Sequence, residues 1–147
     1  MKYFFIVSFI MFLSTCNNVA KSTAQSKQDS SVSINYSAIS RGTFLKINII
    51  DSLITVAKNK KDKPISKPLS EETKEKLTAL LNTINLDSLS QFKDPRQARF
   101  YDGAAIGALV ITKNGQVYES SNFDHGAPPK EIEAIVKEIL SISENIE

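Results

Sequence analysis

The chain is short of several residue types on which functional sites commonly depend. It has one cysteine, one histidine and no tryptophan among 147 residues. A single cysteine excludes an intrachain disulfide. One cysteine and one histidine together are too few ligands for a structural zinc site. The 18 Lys and Arg nearly balance the 16 Asp and Glu, which excludes a broad positive field for capturing nucleic acid. We therefore expect no cofactor, no metal and no nucleic-acid partner.

Motifs that carry catalysis or phosphate binding are also missing. The sequence has no Gly-rich phosphate loop, no G-x-S-x-G elbow and no H-E-x-x-H motif. The sole histidine, His125, lies between Asp124 and Gly126, and no serine occupies the context of a nucleophile. The sequence therefore predicts a protein that is not an enzyme. A hydrolase that uses His125 and Asp124 is the alternative.

The N-terminal residues 1–15 are typical of a secretory signal peptide. Lys2 precedes an apolar run from Tyr3 to Leu13 that only Ser8 interrupts. A helix of this length spans about 16 Å, roughly half of what a bilayer core requires. A positive charge followed by a short apolar run predicts a signal that is removed from the mature chain.

The end of that run, Leu13-Ser14-Thr15-Cys16, resembles the lipobox of bacterial lipoproteins, although Thr15 replaces the usual Gly, Ala or Ser. In that family a diacylglycerol is attached to the cysteine, and cleavage in front of it makes the cysteine the new N-terminus. The resemblance implies lipidation at Cys16 and a membrane contact through acyl chains, which together give stable anchoring. Asn17, which follows the cysteine, implies the outer membrane in a bacterium that has two membranes. We expect a lipid-anchored protein of the cell envelope.

Residues 16–31 predict a flexible tether that begins at the lipidated cysteine. Apart from Cys16, only Val19, Ala20 and Ala24 are apolar in this stretch, so it cannot bury enough surface to offset its ordering entropy. Such a coil has an r.m.s. reach of about 20 Å. The remaining residues 32–147 suffice for one hydrophobic core, and we expect a single domain.

Hydrophobic periodicity divides this domain into two halves. Period-two alternation predicts strands within residues 32–36, 45–49 and 53–56, separated by turns at residues 39–42 and 51–52. Residues 58–68, with five lysines and two prolines, are typical of a solvated polar connection, and a basic patch is the alternative.

A helix capped by Ser70 follows, and its apolar stripe consists of Leu77, Leu80, Leu81 and Ile84. The second half has strands within residues 104–112 and 116–121, joined by an Asn114-Gly115 hairpin, and a last helix after Pro128-Pro129. The order ββ(β)-α-ββ-α predicts an α+β fold, with an antiparallel sheet of four to five strands and two helices on one face.

Polar and aromatic residues at the predicted turns form a candidate binding surface. Its members are Arg41, Arg96, Arg99, Tyr101, Asp102, Asp124 and His125. In one interpretation Arg41 pairs with Asp102 or Asp124, and such bidentate contacts tie the loops together. In the other, the loops bind a protein partner, with Phe100, Tyr101 and Phe123 as anchors. Phe92, Phe100 and Phe123 also suit positions in the core.

A second resemblance covers the order of elements from Ile34 to Leu140. The Ser40-Arg41-Gly42-Thr43-Phe44 turn, the amphipathic helix, the Asn114-Gly115 hairpin and the Pro-Pro start of the last helix look like emfourin. That family comprises small bacterial inhibitors of thermolysin-like metalloproteases. The chain also resembles small lipoproteins of unknown function from Bacteroidota-type bacteria. We expect a non-catalytic binding domain whose partner is a protein or peptidase, and a structural envelope lipoprotein is a further alternative.

Overall fold

The computed structural model describes residues 31–146. The predicted signal peptide, Cys16 and all of the tether except Ser31 lie outside the described residues. The described part contains an antiparallel sheet of seven strands and two α-helices. The α+β class is confirmed, with more strands than the four to five expected. In chain order the elements are β1 (Val32–Ile39), β2 (Phe44–Ile50), β3 (Leu53–Ala57), β4 (Ile65–Pro68), α1 (Glu71–Asn82), β5 (Ile106–Lys113), β6 (Gln116–Glu119), β7 (Phe123–Asp124) and α2 (Glu133–Glu144).

The sheet is built around β1. Its strands lie in the order β4-β3-β2-β1-β5-β6, and β7 pairs with β5. Ile34 of β1 lies opposite Ile49 of β2 and Ile111 of β5, and all three side chains are buried. Because side chains alternate across a strand, the residues in register with them share one apolar face.

Both helices cover that apolar face. Leu77 and Leu81 of α1 and Ile135, Val136 and Ile139 of α2 are buried in the same cluster as the inward-facing strand residues. Burial of each such side chain contributes on the order of 2 kcal/mol. The predicted placement of two helices on one face is therefore confirmed. Neither helix in residues 31–146 has the length and apolar character needed to cross a membrane.

One helix cap and two turns lie where the local sequence predicts them. Ser70 caps α1, and its hydroxyl accepts a hydrogen bond from the Thr73 backbone N–H at 3.2 Å. Asn114 and Gly115 have φ values of 53° and 79°, as a type I′ hairpin requires. Asp51, with φ of 52°, forms the turn between β2 and β3.

Two segments differ from their predictions. The predicted connection over residues 58–68 ends in the edge strand β4, where Ser66 lies opposite Thr55 and their hydroxyl oxygens are 2.9 Å apart. An edge strand tolerates Pro68 because it needs no N–H on its outer side. The predicted strand over residues 116–121 stops at Glu119, since residues 120–122 lie opposite only two residues of β5. This β-bulge changes the direction of the chain between β6 and β7.

Four connections meet at one end of the sheet, which we call the loop end. It comprises residues 40–43, 58–64, 94–105 and 125–127. The strand register places them together, because Ile39 lies opposite both Phe44 and Ile106, Lys46 lies opposite Ala57, and Ile106 lies opposite Asp124. The chain enters the domain at Val32, at the other end of β1 and roughly 23 Å away at the usual rise per residue.

Candidate functional site

Asp124 organises the loop end from a buried position. Its side chain is 2% exposed. The carboxylate accepts hydrogen bonds from the backbone N–H of Ala98 at 2.7 Å, from the N–H of Arg99 at 3.1 Å and from Arg99 Nη1 at 3.0 Å. Burial alone raises the pKa of Asp124, but the hydrogen bonds from Arg99 and Ala98 outweigh it and lower the pKa below its usual value. The ionised carboxylate therefore holds residues 98–101 in a 3₁₀ turn.

Arg99 connects this turn to a second carboxylate. Its Nη1 also pairs with Asp94 and donates a hydrogen bond to the backbone oxygen of Arg96 at 3.0 Å. Burial disfavours the charge of Arg99, yet Asp94 and Asp124 together raise its pKa. The interpretation in which Arg41 pairs with Asp102 or Asp124 is wrong, because Asp124 pairs with Arg99 and no ion pair among residues 31–146 includes Arg41. Asp94 was missed by the sequence analysis, and its spacing of five residues from Arg99 is not a recognised pairing signal.

The turn fixed by Asp124 presents two aromatic side chains to solvent. Phe100 is 67% and Tyr101 is 87% exposed. The Arg99 guanidinium lies over the Phe100 ring, 4.5 Å from its centroid. Asp102 ends the turn in the left-handed region at φ of 57°, and its N–H donates to the Ala98 backbone oxygen. We call Phe100 and Tyr101 the aromatic pair.

The other candidate aromatic anchors belong to the interior. Phe123 is fully buried, and Phe92 is partly buried against the core. A Cβ atom at Gly107 would lie 2.8 Å from the Phe123 ring, so glycine at this position leaves room for the ring against β5.

His125 is held on the opposite side of β7 from Asp124. Its Nδ1 lies 2.6 Å from the hydroxyl of Tyr36. Burial raises the pKa of Tyr36 and lowers the pKa of His125, so a neutral phenol and a neutral imidazole share this hydrogen bond. The histidine lines a cavity of about 270 Å³ together with Leu45 and Lys58. Asp124 and His125 therefore have different partners, although they are adjacent in sequence.

Arg41 lies apart from the cluster of Arg99 and Asp124. It is exposed in the turn between β1 and β2, where the Ser40 N–H donates to the Thr43 oxygen at 2.8 Å. The side chain lines a different cavity, of about 390 Å³, with Phe44 and the lysines that follow β3. The structure thus brings the predicted residues to one end of the sheet but divides them among three places: the Arg99–Asp124 cluster, the cavity at His125 and the cavity at Arg41.

The described residues contain no group of three or more His, Cys, Asp and Glu placed to hold a metal ion. The chemistry at the loop end consists of one ionised buried cluster, one neutral Tyr–His pair and exposed aromatic and cationic side chains. No protein-family model, curated protein or solved structure matches the chain.

Proposed function

We propose that this chain is an exported, lipid-anchored domain that binds a partner protein and catalyses no reaction. The observation that carries the proposal is the aromatic pair, Phe100 and Tyr101, on the turn that Asp124 fixes from beneath. Exposed aromatic side chains are costly to leave in water, and aromatic anchors dominate the energetics of many protein interfaces.

The rigidity of this turn favours binding. Three hydrogen bonds from residues 98 and 99 converge on one buried carboxylate. A turn that is already ordered loses little conformational entropy when a partner covers it, so more of the contact energy remains as affinity. A surface loop without function has no evident need for such a clamp beneath two exposed aromatic rings.

The position of the aromatic pair also suits a membrane-anchored binder. The chain enters the domain at Val32, whereas the aromatic pair lies at the loop end. If Cys16 holds the chain at a membrane, the tether attaches to the side of the domain that lies away from this surface. The loop end is then presented to proteins in the surrounding compartment.

The contacts of His125 and Asp124 favour binding over hydrolysis. Asp124 is committed to Ala98 and Arg99, and His125 Nδ1 is committed to Tyr36. Because burial raises the pKa of Tyr36, its hydroxyl is a poor nucleophile at neutral pH. Turnover of an ester, peptide or phosphate substrate that is lost in His125→Ala would favour the hydrolase instead.

Site-specific crosslinking tests the proposal in the native envelope. A photo-reactive benzoyl-phenylalanine replaces Tyr101 in one version of the full chain and Val117 in another. Val117 is an exposed control on β6. We expect a discrete crosslinked protein from position 101 and none from position 117. Identical crosslinking patterns at the two positions, or no product at either, would contradict the proposal.

A further inference from the structure

We infer that the loop end also has an anion-binding groove, which takes an acidic, Asp- or Glu-rich segment of a partner protein. The inference extends the proposed function, on which it rests for the orientation of the domain. Four cations line the groove and two more lie beside it, and we call the six the cationic patch: Arg41, Lys58, Lys60 and Lys61, with Lys46 and Lys63. Two segments that are distant in sequence, residues 40–46 and 58–63, contribute to it.

Phe44 lies at the centre of the cationic patch. The Nζ atoms of Lys46 and Lys60 lie 5.7 and 5.9 Å from its ring centroid, within the range of cation–π attraction. Lys58 Nζ donates a hydrogen bond to the Ile146 backbone oxygen at 3.2 Å. Three of the ammonium groups are therefore positioned by contacts other than ion pairs, and they retain their positive charge for a partner.

The charge of the patch is not balanced by its surroundings. Asp62 is the one carboxylate that lines the groove, and it accepts a hydrogen bond from Asn59 Nδ2 at 2.7 Å. None of the ion pairs among residues 31–146 includes a cation of the patch. Glu144 lines an adjoining cavity with Phe44 and Lys58, so six cations and two carboxylates give a formal charge of +4. The whole chain is +2, so the other residues together are −2, and the near-neutral composition includes a local excess of positive charge at the loop end.

The position of the patch favours a protein over the anchoring membrane. The patch lies at the loop end, about 23 Å along β1 from the residue at which the tether enters. A polybasic segment that holds a protein on lipid headgroups lies next to the anchor. Here Val32, where the first strand begins, and the patch are at opposite ends of the sheet, so an acidic segment of a partner protein is the better match.

The strand spacing between Phe44 and Asp124 indicates how long a partner segment must be to contact both surfaces. Phe44, Ile39, Ile106 and Asp124 lie in one row across β2, β1, β5 and β7. Three strand spacings make about 14 Å, the length of roughly four extended residues. Ile106 is 46% exposed in the middle of this row. An acidic run separated by about four residues from an apolar residue would reach from Phe44 to the row position of Asp124, whose carboxylate holds the turn of the aromatic pair.

A labelled octaglutamate peptide tests the patch on the full chain purified in non-ionic detergent. The variant Lys60→Glu/Lys61→Glu removes two central charges. Lys93→Glu/Lys130→Glu is the matched control, because both lysines are exposed, lie outside the patch and give the same change in net charge. We expect the first variant to weaken peptide binding at least tenfold and the control variant to weaken it less than twofold. Binding of the peptide to the wild-type protein should also weaken as the salt concentration is raised.

Three results would overturn the inference. The first is that both double variants weaken peptide binding equally. The second is that the wild-type protein does not bind the peptide at low salt. The third is that the protein does not bind the peptide but binds phosphatidylglycerol vesicles through Lys60 and Lys61. A variant with Phe100→Ala/Tyr101→Ala should bind the peptide as wild type does. If the crosslinking experiment fails while peptide binding is intact, the proposed function is refuted and the inference of an anion-binding groove stands.

Discussion

Arg99 Nη1 lies 3.0 Å from Asp124 Oδ1, although the two residues are 25 positions apart in the sequence. The Arg99 side chain is 10% and the Asp124 side chain 2% exposed, and the pair joins the turn at residues 98–101 to β7. The aromatic pair belongs to the turn that this contact holds. The stability of the ion pair and the presentation of Phe100 and Tyr101 are therefore linked.

Loss of the guanidinium should destabilise the domain. Arg99→Ala leaves the buried Asp124 without its cation, and we expect the free energy of unfolding to fall by about 3 kcal/mol. The measurement is urea unfolding followed by circular dichroism. Arg96→Ala is the control, because its side chain is exposed, and it should change stability by less than about 0.5 kcal/mol. Equal effects of the two substitutions would show that the buried pair contributes nothing specific.

Acid should remove the contribution of Asp124. Its pKa in the folded protein is lowered by Arg99 and Ala98 against the effect of burial, so the unfolded chain binds more protons as the pH falls below about 4. Stability should therefore be fully present above pH 4 and decline below it. The comparison is between the wild type and Asp124→Asn from pH 2 to pH 7. We expect the variant to be less stable at neutral pH and the difference to shrink in acid, whereas a constant difference would contradict this account.

The hairpin between β5 and β6 should require glycine at its second position. Gly115 has φ of 79°, and a β-branched residue resists this conformation, so Gly115→Val should cost more than about 1 kcal/mol. Gly42→Val is the matched control, since a Cβ atom at Gly42 meets no neighbour within 4 Å and no positive φ is required there. If both substitutions lower the melting temperature equally, the turn conformation at Gly115 is not the cause of the lost stability.

Lipidation should depend on Cys16. Cys16→Ser should abolish labelling of the protein by a fatty-acid probe in growing cells and move it into the precursor or soluble fraction. Thr15→Ala, which brings the site closer to the usual lipobox, should keep the label. Unchanged labelling of the Cys16→Ser protein would refute the lipid anchor.

Signals that act over a few residues could be predicted from the sequence. The Ser70 cap, the Asp51 turn and the Asn114-Gly115 hairpin each depend on a side chain or a backbone angle within one turn of chain. The strand β4 could not be predicted this way, because Ile65–Pro68 has little strand character of its own and extends only where β3 offers an open edge.

The candidate site depends on register, which no local pattern specifies. The sequence leaves Asp102 and Asp124 open as partners of Arg41, whereas in the structure Asp124, which follows the bulge before β7, pairs with Arg99. For the lysines of residues 58–68, the sequence alone favours a solvated connection over a basic patch. Their proximity to Arg41 and Phe44 follows from the pairing of β2 with β3, which places two distant turns at one end of the sheet.

The central claim is that Phe100 and Tyr101 bind a partner while contributing little to the fold. The most direct test measures capture of the protein that crosslinks at position 101, together with the melting temperature, for Phe100→Ala/Tyr101→Ala and for the exposed control Val117→Ala. Loss of aromatic anchors at an interface commonly costs more than tenfold in affinity. The account predicts capture reduced at least tenfold by the double substitution, an unchanged melting temperature, and wild-type capture by the control. Wild-type capture by the double variant, or the same loss in both proteins, would contradict it.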